Sequence, residues 1–185
     1  FQGAGNHLSV ENGIWTLRLT PGRLISGSFD LWASRRKRRR FTDTLLLPPL
    51  PTPHSPSPST ARSAITVGAY DPRLSSYASF SGRGYTRILH EIKPDLAAPG
   101  VNIPAPRSGG GYASFTGTSF ATPFVSGSAA LMMEWGILRG NDPFLYGEKL
   151  KAYLIAGAKP IASESEYPNR RVGWGRLCLE SSLPD

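Results

Sequence analysis

The chain has 185 residues, 39% of them hydrophobic, and a formal net charge of +8 at pH 7. This apolar content can build a core, but no apolar run reaches the ~18–20 residues of a membrane span, so the sequence predicts no membrane partner. Its single cysteine, Cys178, excludes an internal disulfide and offers no metal-binding spacing, so we expect it in the core.

The N-terminal residues 1–47 have the pattern of antiparallel strands. Residues 14–19 alternate apolar and polar side chains, a Thr-Pro-Gly turn signal follows, and residues 29–32 alternate again. Two such runs around a turn predict an antiparallel pair. The opening Phe1-Gln2-Gly3 is similar to the end of an affinity-tag cleavage site and is equally compatible with native sequence, so it carries no functional weight.

Two low-complexity segments follow. Six consecutive cations at 35–40 dominate the charge, because without them the formal charge of +8 falls to +2. Such a run could bind nucleic acid or an anionic surface, or be cleaved by a trypsin-like protease. No aromatic residues or nucleic-acid motif accompany it, so we expect a solvated basic loop. The proline-rich residues 48–58 predict an extended linker, with a Pro-rich recognition ligand as the alternative.

The remaining residues, 59–185, predict an α/β fold. Short apolar runs at 64–70 and 96–98 are typical of buried strands in a mostly parallel sheet. A helix is predicted from about 119 to 135, ending near Gly136, and it is apolar almost all round, which predicts burial on every side.

A second helix is predicted over 148–156, where Leu150, Tyr153 and Leu154 share one face. Gly157 is its expected stop. Near the C-terminus, we expect Trp174 and Leu177 to pack back onto the core.

Residues 117–123, Gly-Thr-Ser-Phe-Ala-Thr-Pro, lie where the strand pattern gives way to the long helix. Ser119 would stand at the helix start, where free backbone N–H groups and the positive end of the dipole stabilise negative charge. Gly117 permits close approach of a substrate, and Pro123 is tolerated in a first turn. A simple N-cap role for Thr118 or Ser119 explains the same residues, so these positions alone leave nucleophile and cap both open.

Five ordered segments decide between these alternatives, because together they resemble the subtilisin-like serine proteases (subtilases). The resemblance spans roughly residues 56–182 and rests on segments 58–71, 77–82, 93–101, 117–123 and 172–177. It implies the C-terminal half of a subtilisin-like fold, a mostly parallel sheet flanked by helices. It also implies a serine endopeptidase that cleaves protein or peptide substrates through an acyl-enzyme on Ser119.

The chain departs from the family in its catalytic partners. A subtilase also needs an aspartate and a histidine, and neither family motif is present; His7, His54 and His90 lack the histidine context. We therefore expect a fragment that is inactive alone and whose partner is the missing N-terminal half of the domain. The alternative is a non-catalytic fragment or pseudoprotease that acts by binding, and exposed sheet edges would favour self-association.

Residues 1–47 resemble the end of the β-sandwich (jelly-roll) insert of subtilases from anaerobic spore-forming bacteria. The resemblance therefore implies an insert at 1–47, a linker at 48–58 and the catalytic half at 59–185. Asn6 is then an insert loop residue, with an oxyanion-hole role as the alternative. No cofactor or metal ligand is predicted: calcium occurs in the family, but no Asp-rich loop with ligand spacing appears. Cleavage specificity, and location between bacterial cytoplasm, spore and secretion, are left open.

Overall fold

The structure is a computed structural model that describes residues 59–86 and 91–183. The chain divides into two units, Phe1–Leu50 and Pro51–Asp185, and every described residue belongs to the second. Among these residues, no helix has the length and apolar character needed to cross a membrane. Several predictions concern residues outside the described part: the insert strands at 1–47, the basic loop at 35–40, the linker at 48–58, Asn6, His7, His54 and His90.

The core of the second unit is a three-stranded sheet whose middle strand pairs with one strand on each side. Strand β1 (Val67–Asp71) pairs in parallel with β5 (Leu96–Pro99) and antiparallel with the short β2 (Ser76–Tyr77). The two buried strands predicted from apolar runs are therefore confirmed, including their parallel direction. Small side chains on one face of the sheet let a helix approach it closely: Ala69 and Ala98 are fully buried in one cluster with Ala121 and Val125 of the following helix.

Two antiparallel pairs flank this sheet. Strand β3 (Gly84–Tyr85) pairs with β4 (Ile92–Lys93), and β6 (Ile103–Pro106) pairs with β7 (Tyr112–Phe115). The β6–β7 hairpin was not predicted, because two prolines in β6 argue against a strand. The Arg107 N–H donates to the Gly111 carbonyl (3.1 Å), so in this register the odd-numbered residues of β6 form the hydrogen bonds to β7. Pro104 and Pro106 occupy the alternate positions, where an N–H group would point away from β7 and none is needed.

Helix α1 (Thr118–Met133) packs against β1 and β5 and continues into a π-helical turn, Glu134–Leu138. Its buried residues lie at helical spacing on a single face: Ala121, Val125, Ser128 and Met132. The predicted burial on every side is therefore wrong, whereas the α-helix ends at Met133 and the π-helical turn at Leu138, on either side of the predicted end near Gly136. Phe124 is 42% exposed and Leu131 is 54% exposed. The physical reason is that, within the described residues, α1 packs closely only against the sheet, while the β6–β7 hairpin contacts its first turn and leaves much of the remaining surface exposed.

Helix α2 (Gly147–Ala156) confirms the second predicted helix, with Leu150 and Leu154 buried and Tyr153 half-buried. Gly157 ends this helix as expected, but in a right-handed conformation (φ −81°). A side chain at Gly157 would clash with Ser182 in the short helix α3 (Leu179–Ser182), so close packing is what requires glycine here.

The C-terminal segment docks on β5 through its backbone. Ala97 exchanges hydrogen bonds with the Gly175 carbonyl and the Leu177 N–H, both at 2.8 Å. Leu177 packs against the core as predicted. The predicted packing of Trp174 onto the core is wrong: its backbone N–H donates to the Asp95 carbonyl (3.0 Å), but the residue is 44% exposed. The core position expected for Cys178 is also wrong: the thiol is half-buried and donates to the Ser181 hydroxyl.

Candidate active site at the start of helix α1

The start of α1 is tied to the end of the sheet. The Gly117 N–H donates to the Gly100 carbonyl (2.8 Å), and the Gly100 N–H donates to the Tyr70 carbonyl (3.0 Å). A Cβ atom at Gly100 would lie 2.6 Å from the Ala69 Cβ and 3.4 Å from the Ala121 Cβ. Glycine at position 100 therefore lets the first turn of α1 sit directly on the carboxyl end of β1 and β5.

Ser119 is the second residue of α1, and its side chain is exposed. Gly117 is the N-cap and no side chain caps the helix, so the alternative in which Thr118 or Ser119 is a capping residue is wrong. Within the described part of the chain, neither the Ser119 hydroxyl nor its backbone N–H has a hydrogen-bond partner. Both groups are thus available to an incoming ligand.

Two neighbouring hydroxyl groups on α1, unlike that of Ser119, donate hydrogen bonds to backbone carbonyls of the same helix. The Thr122 hydroxyl donates to the Thr118 carbonyl (3.0 Å), and the Ser126 hydroxyl donates to the Thr122 carbonyl (3.3 Å). These bonds to the preceding turn satisfy the side chains locally. Ser119 differs because it lies in the first turn, so the residue four positions before it is outside the helix and offers no helical carbonyl to its hydroxyl.

The β6–β7 hairpin supports this first turn from the side. Phe115 of β7 stacks on Phe120 of α1, with ring centroids 5.0 Å apart and planes 13° apart. The Asn102 N–H, before β6, donates to the Thr116 hydroxyl (3.0 Å), after β7. An open apolar cavity of about 300 Å³ lies between hairpin and helix, lined by Ile103, Pro104, Ala105, Phe120, Pro123 and Phe124.

A second cavity, of about 440 Å³, opens beside Ser119 itself. One side is formed by the first turn of α1, with Thr118, Ser119 and Thr122, and the facing wall by residues 64–67. Its described lining carries no charged side chain, so the strongest polar features are the Ser119 hydroxyl and the helix N-terminus. The arrangement can accept a neutral peptide group and stabilise an oxyanion that develops on it.

Behind the facing wall lies a cluster of three charged side chains that the sequence analysis missed. Asp95 accepts from Lys93 Nζ (2.9 Å) and from Lys151 Nζ (2.8 Å). Burial lowers the pKa of Lys93, while its hydrogen bond to Asp95 acts in the opposite direction. The Lys-Pro-Asp spacing at 93–95 was visible in the sequence, but nothing local signals that Lys151 joins it.

Two kinds of group are not found in the described ranges 59–86 and 91–183. These ranges hold no histidine, and they hold no group of three or more His, Cys, Asp or Glu side chains that could bind a metal ion. A histidine base for Ser119 is therefore not among the described residues.

The mixed α/β architecture, with a parallel β1–β5 pair and a long helix entered beside an exposed serine, is that of the subtilisin-like class. The chain belongs to the subtilase family (peptidase S8), whose sequence pattern matches residues 52–175. The predicted family and fold are thereby confirmed; the role of Ser119 stays a prediction.

Individual relatives agree with this assignment. Serine protease AprX of Bacillus subtilis is 34% identical over 148 residues, covering 69% of this chain and 31% of that protein. Subtilisin Savinase of Lederbergia lenta is 42% identical over 110 residues, covering 60% of this chain and 36% of that protein. The Clostridium perfringens CspB protease structure superposes with a TM-score of 0.65 at 48% identity, covering 68% of this chain and 27% of that one. The chain thus spans about a third or less of these proteins.

Proposed function

We propose that this chain is the serine-bearing part of a subtilisin-like serine endopeptidase, with Ser119 as the nucleophile. The observation that carries the proposal is the state of Ser119: exposed, at a helix start, with hydroxyl and backbone N–H both unpartnered within the described residues. Membership of a family whose relatives include serine proteases supports the same chemistry.

The chemistry follows from that geometry. The Ser119 Oγ attacks the scissile carbonyl carbon and loses its proton to a base, which forms a tetrahedral intermediate. The Ser119 N–H and the positive end of α1 stabilise the oxyanion. Collapse breaks the C–N bond, the base returns the proton to the leaving amine, and an acyl-enzyme remains on Ser119. Water then attacks the ester and releases the second product.

The base must be supplied from outside the described site. A serine hydroxyl is a weak nucleophile until an imidazole accepts its proton. The family's histidine and aspartate motifs are absent from the sequence, so we expect the 185-residue chain to be inactive by itself. Its partner in catalysis would be a polypeptide that carries both motifs, the N-terminal half of a subtilase domain.

Two surfaces near Ser119 suit such a partner. On α1, Phe124 and Leu131, seven residues apart, form an exposed apolar stripe along one flank of the helix, beside its buried face. On β1, the N–H and carbonyl of Ala69 bond to Ser81 Oγ (2.9 Å) and to the Ala78 N–H (3.2 Å), whereas Val67 has no partner on that edge within the described residues. An apolar stripe and an open edge favour burial against another chain, and self-association is the competing outcome.

Labelling with a fluorophosphonate, which reacts with activated serines, tests the proposal. We expect the chain alone to label poorly and to hydrolyse no peptide, and to label at Ser119 when a polypeptide with the Asp and His motifs is added. Ser119→Ala should abolish labelling and lower turnover of the complemented enzyme by roughly 10⁶-fold, which is the loss that follows removal of the catalytic serine of subtilisin. Ser126→Ala, an exposed serine on the same helix, is the matched control. Retained turnover in Ser119→Ala would show that the wrong serine was chosen.

A non-catalytic binding module is the second candidate. The observation that favours it is the lack of histidine among the described residues together with the exposed apolar stripe on α1. Binding to the added polypeptide, measured by calorimetry, without any labelling of Ser119 would support this function over the protease.

A further inference from the structure

Asp95, the residue before β5, lies between the buried ammonium group of Lys93 and the half-buried one of Lys151. Its Oδ2 atom accepts from Lys93 Nζ (2.9 Å) and from the Thr66 N–H (2.7 Å), and its Oδ1 atom pairs with Lys151 Nζ (2.8 Å). The exposed fractions of the three side chains are 6% for Asp95, 2% for Lys93 and 15% for Lys151. Burying two ammonium groups with one carboxylate is costly, so stability alone is a weak reason for this cluster.

Both lysines also bind the backbone of the segment at residues 62–66. Lys93 Nζ donates to the Ala64 carbonyl (2.9 Å), and Lys151 Nζ donates to the Ala64 (3.1 Å) and Arg62 (2.9 Å) carbonyls. The segment has no regular secondary structure, and within the described residues these two carbonyls have no backbone donor. The ammonium groups therefore replace the hydrogen bonds that a sheet or helix would otherwise provide.

The same segment leads into the wall that faces Ser119. Residues 64–67 line the cavity of about 440 Å³ together with Ser119 and with Pro94, the residue between Lys93 and Asp95. A shift of the Ala64 carbonyl or of the Thr66 N–H would therefore move the cavity wall directly. Helix α2, which carries Lys151, contributes no residue to this lining, so Lys151 acts on the cavity only through the segment that it binds.

We infer that Lys93, Asp95 and Lys151 form a positioning cluster that holds residues 62–67 in place and so sets the shape of the cavity beside Ser119. Its importance for catalysis rests on the proposed function, whereas its hold on the segment does not. Lys151 is the decisive member, because it reaches the wall from a helix 56 positions further along the chain than Asp95 and crosses from α2 to the sheet.

Hydrogen exchange of backbone amides in the 185-residue chain tests this inference without any turnover. In Lys151→Met, which keeps the apolar stem but loses the donor, we expect the Thr66 amide and its neighbours to exchange about 10- to 100-fold faster. Amides in the buried face of α1, such as Val125, should change far less. Lys151→Arg, which keeps charge and donors, should restore most of the protection.

Lys149→Met is the matched control, because Lys149 lies on the same helix but pairs with Asp142 at the surface. It should leave exchange in 62–67 unchanged. Unaltered exchange at Thr66 in Lys151→Met, or an equal acceleration at Thr66 and Val125, would overturn the inference. Should Lys151→Met not fold, Lys151→Gln replaces it with an expected increase of at least about threefold, and unaltered exchange there is equally decisive. Failure of Ser119 to label leaves this result untouched, so the two proposals fail separately.

Discussion

Replacing Gly100 with alanine should destabilise the protein and displace the start of α1. The added methyl group would lie 2.6 Å from the Ala69 Cβ and 3.2 Å from the Gly117 carbonyl oxygen, where normal contacts need well over 3 Å. Ala69 is fully buried in the central strand β1 and is packed within the main core cluster. Overpacking of this kind costs about 1–3 kcal/mol, and we expect the upper part of that range because two of the groups that must move are backbone or Cβ atoms.

Urea denaturation measures this effect. With a slope of about 1–3 kcal/mol per molar urea, a loss of about 2–3 kcal/mol moves the midpoint down by roughly 0.7–3 M. The matched control is Gly127→Ala in the same helix, where a Cβ meets nothing within 4 Å. That change should stabilise by about 0.5–1 kcal/mol, because alanine is the better helix former. A Gly100→Ala protein as stable as its parent, or a destabilised Gly127→Ala protein, would refute the packing argument.

Further predictions address the core and the charged cluster. Leu154→Ala should cost about 2–5 kcal/mol in denaturation experiments because Leu154 is fully buried, whereas Leu138→Ala should cost little because Leu138 is 81% exposed; equal losses would contradict the assigned core. Burial lowers the pKa of Lys93 below its usual 10.5, so the unfolded chain binds more protons than the folded one in the pH window just below 10.5. The free energy of unfolding of the parent relative to Lys93→Met should therefore rise with pH across that window, and a flat or falling difference between their pH profiles would argue against a desolvated Lys93.

The Lys93–Asp95–Lys151 cluster and Gly100 support opposite sides of the cavity beside Ser119. Gly100 brings the first turn of α1 down onto the sheet, and the cluster holds the facing wall at residues 64–67. The predicted effects can be told apart, because Gly100→Ala acts on global stability whereas Lys151→Met acts on local exchange. The two walls of the cavity, the first turn of α1 and residues 64–67, are therefore fixed by separate sets of contacts.

Local sequence determined much of this protein. Short apolar runs were enough to predict β1 and β5, because a buried parallel strand is apolar on both faces. Helical spacing predicted α2 with its buried residues Leu150 and Leu154. The Gly-Thr-Ser motif placed Ser119 at the start of α1, where the structure has it, because a helix start depends on residues within one turn.

Only the tertiary structure decided the remainder. The one-sided burial of α1 depends on which elements meet it, and its composition cannot show that Phe124 and Leu131 stay exposed. The β6 strand forms despite its prolines because pairing with β7 uses only the alternate residues. Lys151 joins Asp95 across 56 positions because α2 packs beside the sheet. Periodicity and capping are encoded within a few residues, whereas these contacts join segments that come together only in the folded chain.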